Sequence, residues 1–225
     1  PGKNYFIWSC GTDGTPNADG PAPDGEEFFA MALFFAANRW GDREGIFDYS
    51  GEARKILREC IHKGEPGHSG EPMWNRDNKL IKFIPGVEFT DPSYHLPHFY
   101  ELFALWADEE DRMFWREAAG NSRVFLHLAC NPDTGLSPEY AEYDGIPHTG
   151  TEAQFGRHDW YYSDAYRTMA NIGLDALWFH RDPWQKEIAE RLQEFYCVRE
   201  KDSWDGVFLI DGTKLKEKAL HPVAV

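Results

Sequence analysis

The sequence holds few cysteines, and they stand far apart. Cys10, Cys60, Cys130 and Cys197 include no CxxC pair. Because structural zinc sites are built from closely spaced ligand pairs, the sequence predicts no metal site. Isolated cysteines are typical of buried free thiols in cytosolic proteins. Pro1 is followed by no secretion signal, so we expect a cytoplasmic protein, or one from which an upstream segment has been removed.

Basic residues and long apolar runs are also scarce. Lysine and arginine number 23 against 38 acidic residues, which gives a formal net charge of −15. Nucleic-acid binding depends largely on basic side chains that contact phosphates, so nucleic acid is not an expected partner. The most apolar stretch, residues 28–37, is too short to cross a membrane, and no membrane partner is expected. A neutral substrate fits this charge balance better than a polyanion.

Aromatic side chains are what the sequence has in abundance. They make up 16% of the chain, with nine Trp, ten Tyr and sixteen Phe. Such rings pack cores, and they also form flat platforms with polar edges on which the apolar faces of sugar rings can stack. An aromatic core alone would explain the composition equally well. The 225 residues suit a single domain over 1–225, or part of a larger one.

Helical patterns dominate, and they alternate between two kinds. Helices that are apolar nearly all round alternate with amphipathic ones, as a double ring of inner and outer helices requires. We therefore expect an all-α fold, an incomplete α/α barrel, in preference to a four-helix bundle. A short hairpin over 74–84 and a β-like segment over 204–210 decorate the loops. The predicted helices span residues 24–40, 50–63, 93–106, 111–129, 163–180 and 182–199.

Polar residues mark the starts of the three apolar helices. Asp24 and Glu27 form a predicted capping box, while Ser93 and Ser163 are the predicted N-caps of the other two. Asp24 follows a rigid Pro-x-Pro entry, which would orient its carboxylate at the helix mouth. An N-cap without a further role is the alternative for Asp24.

The other two helix starts carry candidate residues for chemistry. Tyr94 lies in the first turn of its helix, where its hydroxyl could serve the core or hold a water in a cleft. Asp164 and Arg167 are spaced i,i+3, which places both side chains on one helical face. A neighbouring arginine keeps a carboxylate ionised, as a general base needs. An ordinary helix salt bridge is the alternative.

Four motifs in order resemble glycoside hydrolase family 8. They are Trp8-Ser-Cys-Gly-Thr-Asp-Gly14, Gly20-Pro-Ala-Pro-Asp-Gly-Glu-Glu27, Thr90-Asp-Pro-Ser-Tyr94 and Ser163-Asp-Ala-Tyr-Arg167. The resemblance covers essentially the whole chain and is greatest to the members that release xylose from the reducing end of xylo-oligosaccharides. It implies an (α/α)6 barrel and an inverting mechanism without metal or organic cofactor.

The resemblance also implies roles for particular residues. Asp164 would be the general base, and Arg167 would orient and charge it. Tyr94 would share the nucleophilic water with Asp164. Asp24 would contact the sugar at the cleavage site and favour its distorted ring, while Trp8 would be a stacking platform.

A motif near the C-terminus would set the substrate length. Leu220-His221-Pro222 resembles a kinked segment that closes the cleft beyond the leaving sugar, with His221 bonded to the reducing-end hydroxyl. A blocked cleft would admit one xylose past the scissile bond. An endo-acting xylanase, endoglucanase or chitosanase would need an open cleft instead, and stays as the alternative.

The resemblance does not extend to the general acid. The family carries it on a Glu in a short motif upstream of the Trp8 region, and the sequence has no such motif. We therefore expect a piece of the barrel, completed by a separate N-terminal segment or a second chain. General acid–base catalysis contributes about 10²–10⁴-fold in rate, so a non-catalytic oligosaccharide-binding chain is a further alternative.

Overall fold

The computed structural model describes residues 4–150, 158–201 and 206–218. Within these ranges it is helix-rich, as predicted, and each predicted helix is present to within a few residues at its start. Among the described residues, no α-helix combines the length and apolarity that crossing a membrane requires. The α-helices are α1 (Pro23–Trp40), α2 (Tyr49–His62), α3 (Pro97–Trp106), α4 (Arg112–Ala129), α5 (Tyr166–Phe179) and α6 (Trp184–Glu194).

Short elements connect the helices. The chain forms a two-stranded antiparallel sheet of β1 (Gly206–Phe208) and β2 (Lys214–Lys218). The predicted β-like segment 204–210 contains β1, whereas β2 follows it and was not predicted. The predicted hairpin over 74–84 is reduced to a single bridge between Trp74 and Ile81. One π-helical turn, Phe195–Arg199, follows α6, and the 3₁₀ turns are Gly45–Phe47, Pro92–Tyr94, Glu109–Asp111 and Ser163–Ala165.

The chain divides into two compact units. The first contains the chain up to Glu88 together with Phe99–Ala119. Its core is aromatic: the buried ring of Trp115 has its centroid 5.1 Å from those of Trp74 and Phe103 and 5.8 Å from that of Tyr100. Edge-to-face and tilted contacts of this kind add to the burial of the rings, so much of the aromatic content serves packing.

The second unit contains Phe89–His98 and the chain from Gly120 onward. Arg123 of α4 makes two 2.7 Å hydrogen bonds to Asp175 of α5, which also accepts one from Gln185 of α6. Asp175 is fully buried, so this paired charge ties three helices together. Gly135 has φ +74°, and a Cβ there would lie 2.7 Å from the backbone N of Leu192. Only glycine fits this close approach.

The predicted capping box of α1 is wrong. The N-cap is Ala22, without a side-chain cap, and the Asp24 carboxylate accepts the N–H of Gly25, at 3.0 Å. Glu27 is buried and accepts the Tyr100 hydroxyl instead of reaching back. A helix that starts with proline has one fewer free N–H to cap. The Glu27 carboxylate therefore bonds Tyr100, which is distant in sequence, and not the N-terminus of its own helix.

The two predicted serine caps are also wrong. Ser93 lies inside a 3₁₀ turn that Asp91 caps, and α3 begins only at Pro97. Ser163 has φ +49°, in the left-handed region, and belongs to the 3₁₀ turn that precedes α5. In both cases a tight turn separates the polar motif from its helix.

The prediction of four buried thiols is wrong for two of them. Cys60 and Cys130 are buried free thiols, whereas Cys10 and Cys197 are free and exposed. Cys10 lies in the loop before α1, and Cys197 lies in the π-helical turn.

Candidate active site

Tyr94 is held by the turn that carries it. The carbonyl of Asp91 accepts the Tyr94 N–H at 2.9 Å, while the Asp91 carboxyl accepts the N–H of Ser93 at 2.7 Å. Thr90, just before the turn, exchanges two 2.9 Å backbone hydrogen bonds with Ala141. Tyr94 is therefore buried on a short segment that is fixed from both sides.

Two side chains of helix α5 contact the turn Pro92–Tyr94. The Asn171 amide donates to the carbonyl of Ser93 at 2.7 Å. One turn earlier, the Arg167 guanidinium lies over the Tyr94 ring, 5.6 Å from its centroid. Residues spaced i,i+4 share a helix face, so one face of α5 positions Tyr94.

Asp164 and Arg167 pair as predicted. The guanidinium lies 3.1 Å from the Asp164 carboxylate, whose side chain is 48% exposed. An ionised carboxylate at the surface, bonded to an arginine, can accept a proton from a water molecule. Arg167 thus connects the predicted base to the predicted water-binding tyrosine.

A second carboxyl lies on the far side of Arg167. Asp91 is 4.0 Å from the guanidinium and its side chain is only 2% exposed. Burial raises the pKa of Asp91 to about 8, although Arg167 and both the side chain and the N–H of Ser93 act in the opposite direction. The negative charge of Glu139 raises this pKa further.

Glu139 and His158 form a pair beside Asp164. Two backbone hydrogen bonds of 2.9 Å, from Glu139 to Trp160 and from Tyr140 to His158, bring their loops together. The His158 ring bonds the Glu139 carboxylate and stacks on the Tyr140 ring at 4.4 Å. Burial raises the pKa of Glu139, His158 lowers it, and the charge of Asp164 raises it.

The first unit carries the other two predicted site residues. The side chain of Trp8 is 66% exposed, and the backbone N–H of Trp8 donates to the carbonyl of Gly20 at 3.0 Å. Asp24 is half-buried in the first turn of α1. The exposed indole of Trp8 has the accessibility that stacking on a sugar would need.

Glu26 is the carboxyl of the first unit whose pKa is suited to an acid. Burial raises this pKa to about 7, and the charge of Asp24 raises it as well, while the Phe6 N–H lowers it. That N–H donates to the Glu26 carboxylate at 2.9 Å. Since Glu26 is only 2% exposed, it has the acidity of a proton donor without the access.

Leu220, His221 and Pro222 lie outside the described residues. Asp91, Glu139 and His158 lie beside the predicted site residues, and the sequence reasoning did not single them out. Asp91 had a local signal, since an aspartate before proline and serine is typical of a turn cap. In the described ranges, no group of three or more His, Cys, Asp or Glu side chains is placed to hold a metal ion.

Comparison with known proteins identifies the family. The family model described as "Glycosyl hydrolases family 8" matches residues 3–207. A curated "Reducing end xylose-releasing exo-oligoxylanase" of Halalkalibacterium halodurans is 59% identical over 98% of the chain and 55% of its own length. "Endoglucanase 2" of Ruminiclostridium josui is 32% identical over 79% of the chain and 36% of its own length.

A solved structure is similar over the same extent. That of Rex8A from Paenibacillus barcinonensis, complexed with xylose, has a TM-score of 0.92 at 55% identity, covering 98% of this chain and 57% of the other. The predicted fold class, an all-α incomplete (α/α)6 barrel, is confirmed. The chain spans a little over half the length of the exo-oligoxylanases that it matches.

Proposed function

The chain belongs to glycosyl hydrolases family 8, and from this membership we propose that the protein is an inverting glycoside hydrolase that releases xylose from the reducing end of xylo-oligosaccharides. The observation that carries the proposal is the contrast in similarity. Identity to a relative named for that activity is 59%, against 32% to one named an endoglucanase. A neutral oligosaccharide also suits a chain with a net charge of −15.

In the proposed mechanism Asp164 is the general base. It takes a proton from a water whose oxygen bonds to the anomeric carbon as the glycosidic C–O bond breaks on the opposite face. The leaving oxygen takes its proton from a general acid. Inverting enzymes hold their two carboxyl groups about 6.5–9.5 Å apart, to leave room for the water. Asp164 has the exposure that this role needs, and the guanidinium of Arg167 lies 3.1 Å from its carboxylate.

Tyr94 would hold the attacking water together with Asp164. Its ring lies under the guanidinium of Arg167, the residue that also pairs with Asp164. A water bound between the two would be fixed before the sugar arrives, and such preorganisation lowers the barrier of the chemical step. Asp24 would contact the sugar ring at the cleavage site, and Trp8 would stack against a sugar face.

The general acid and the end of the cleft complete the proposal. Because Glu26 is buried, we assign the acid to a separate N-terminal segment or a second chain that completes the barrel. Leu220-His221-Pro222 would close the cleft after one sugar, with His221 bonded to the reducing-end hydroxyl.

We also propose a cytoplasmic location, since Cys60 and Cys130 are buried as free thiols; cell fractionation would test it.

The experiment is time-resolved NMR on xylotriose and on its borohydride-reduced form, with the chain together with the N-terminal segment or second chain that completes the barrel. We expect xylose and xylobiose from the unreduced sugar only, with the new reducing end of xylobiose appearing first as the α-anomer. Cleavage of the reduced sugar or a mixture of longer oligomers would instead indicate an endo-acting enzyme. The β-anomer would refute inversion.

A sugar-binding chain without catalysis is the second candidate, since the fold and platforms would serve it equally. Titration of xylotriose by calorimetry separates the two. Binding without turnover, unchanged in the variant Asp164→Asn, would support a binding chain, whereas loss of turnover with binding retained supports the enzyme. If neither binding nor turnover is observed, the proposal fails.

A further inference from the structure

Asp91 is a buried carboxyl to which the proposed mechanism gives no task. Its side chain caps the turn Pro92–Tyr94 through the Ser93 N–H, at 2.7 Å. Its carbonyl accepts the Tyr94 N–H at 2.9 Å. Both ends of the residue therefore fix the segment that carries the tyrosine.

The same carboxyl faces Arg167 without bonding to it. Its Oδ2 lies 4.0 Å from the guanidinium, which is only 3.1 Å from Asp164. Hydrogen bonds from nitrogen to oxygen span about 2.7–3.2 Å, so Arg167 donates to Asp164 and only approaches Asp91. Asp91 and Asp164 therefore both lie near the Arg167 guanidinium, but only Asp164 is within hydrogen-bonding distance of it.

The charged groups around Asp91 do not favour a second anion. Arg167 faces it from α5 and is paired with Asp164. Glu139 faces it from the segment after α4, carries its own negative charge and is paired with His158. Tyr140 also lies near both carboxyls. An ionised, buried carboxylate needs two or three hydrogen bonds or a close cation. The Ser93 N–H supplies one bond, at 2.7 Å, and the Ser93 hydroxyl lies near enough to lower the pKa of Asp91 without meeting the geometry of a second bond.

We propose that Asp91 is a positioning residue that acts as a neutral carboxylic acid: it fixes the Tyr94 turn and leaves the charge of Arg167 to Asp164. The inference rests on the proposed function for its catalytic meaning. The pKa of Asp91, raised by burial to about 8, agrees with a neutral group at pH 6. Ionised Asp91 would instead compete with Asp164 for the guanidinium.

The substitution Asp91→Asn distinguishes a neutral Asp91 from an ionised one. An asparagine keeps the Oδ1 acceptor for Ser93 and places N–H groups where the acid has its O–H. It is therefore a close copy of a protonated aspartate and a poor copy of an ionised one. Asp91→Ala removes the cap altogether.

Carbon-13 NMR of the intact protein with labelled aspartate carboxyls tests the charge without any turnover. The signal missing from Asp91→Asn identifies Asp91. We expect the shift of a protonated carboxyl at pH 6 and its titration near pH 8. The shift of an ionised carboxylate at pH 6 overturns the proposal, whether or not the protein cleaves xylotriose.

Kinetics on xylotriose test the positioning role. We expect Asp91→Ala to lower kcat by about 10–100-fold through a displaced Tyr94, and Asp91→Asn to restore kcat to within about threefold of the wild type at pH 6. Above pH 8 the wild type should lose kcat relative to Asp91→Asn, which has no proton to release. Equal losses in both variants at pH 6 would overturn the neutral role. Absence of turnover in the wild type, assayed together with the segment or second chain that supplies the acid, would refute the proposed function and leave the NMR result to decide the charge.

Discussion

Removing the proposed base should separate catalysis from stability. Asp164→Asn keeps the size of the side chain and removes its ability to accept the proton of water. General-base catalysis contributes about 10²–10⁴-fold, which corresponds to about 2.7–5.4 kcal/mol of barrier. We expect kcat for xylotriose to fall by that factor while KM changes little.

The stability cost of the same change should be small. The ion pair of Asp164 and Arg167 spans 3.1 Å, but the two side chains are 48% and 31% exposed. Partly exposed pairs contribute about 0–1 kcal/mol, because water and salt screen them. In a chain of this size 1 kcal/mol corresponds to a Tm change of about 2–4 °C.

The chain offers a matched control. Glu194 and Arg191 form another i,i+3 pair, 3.5 Å apart and more than half exposed, at the end of α6. Glu194→Gln should show the same small change in Tm and no change in kcat. The assay is xylose release measured beside thermal unfolding for both variants.

Azide tests the assignment chemically. The anion needs no base, so in Asp164→Ala it can bond to the anomeric carbon directly as the leaving xylose departs. We expect azide to restore sugar release and to form the α-glycosyl azide. The reasoning is refuted if Asp164→Asn keeps more than a tenth of the wild-type kcat, or if kcat falls only as the protein unfolds.

Four further changes have expected outcomes. Tyr94→Phe removes the hydroxyl that would bind the attacking water; a hydrogen bond to such a site is worth about 1.5–3 kcal/mol, so kcat should fall about 10–100-fold at unchanged KM, measured by steady-state kinetics on xylotriose. Glu26→Gln should keep kcat within about tenfold, since loss of a general acid would cost more; a larger loss at unchanged Tm would make Glu26 the acid. Trp8→Ala should raise KM for xylotriose about 10-fold through the lost stacking platform, with the fold unchanged by circular dichroism. Arg123→Met leaves Asp175 buried without its partner and should lower the free energy of unfolding by about 3–5 kcal/mol in urea; a change under 1 kcal/mol would refute the role of that pair.

Helix content could be predicted from the sequence because its signals are local. Apolar periodicity and the proline or glycine at helix ends act within one or two turns, and all six helices were found. The pair Asp164 and Arg167 was predictable for the same reason, since i,i+3 spacing fixes proximity on any helix. Their exposure and their distance of 3.1 Å required the structure.

The features that could not be predicted depend on contacts between distant segments or on competition between two possible hydrogen-bond partners. Glu139 and His158 meet because two loops pair their backbones 19 residues apart, and no local pattern encodes that register. The caps failed through competition: Glu27 had a capping position and a buried tyrosine within reach, and it bonds the tyrosine. Local preferences of about 1 kcal/mol decide only where no tertiary contact outweighs them.

The 3₁₀ turns explain why the polar motifs precede the helices that they were expected to cap. The turns Pro92–Tyr94 and Ser163–Ala165 come before α3 and α5, so the side chains that they carry lie ahead of the first α-helical turn. Tyr94 and Asp164 both lie on such turns. Arg167 and Asn171, one helical turn apart on α5, contact the Tyr94 ring and the Ser93 carbonyl. A single rigid helix therefore holds the base at its start and the tyrosine against its face, so the geometry of the pair does not depend on the conformation of a free loop.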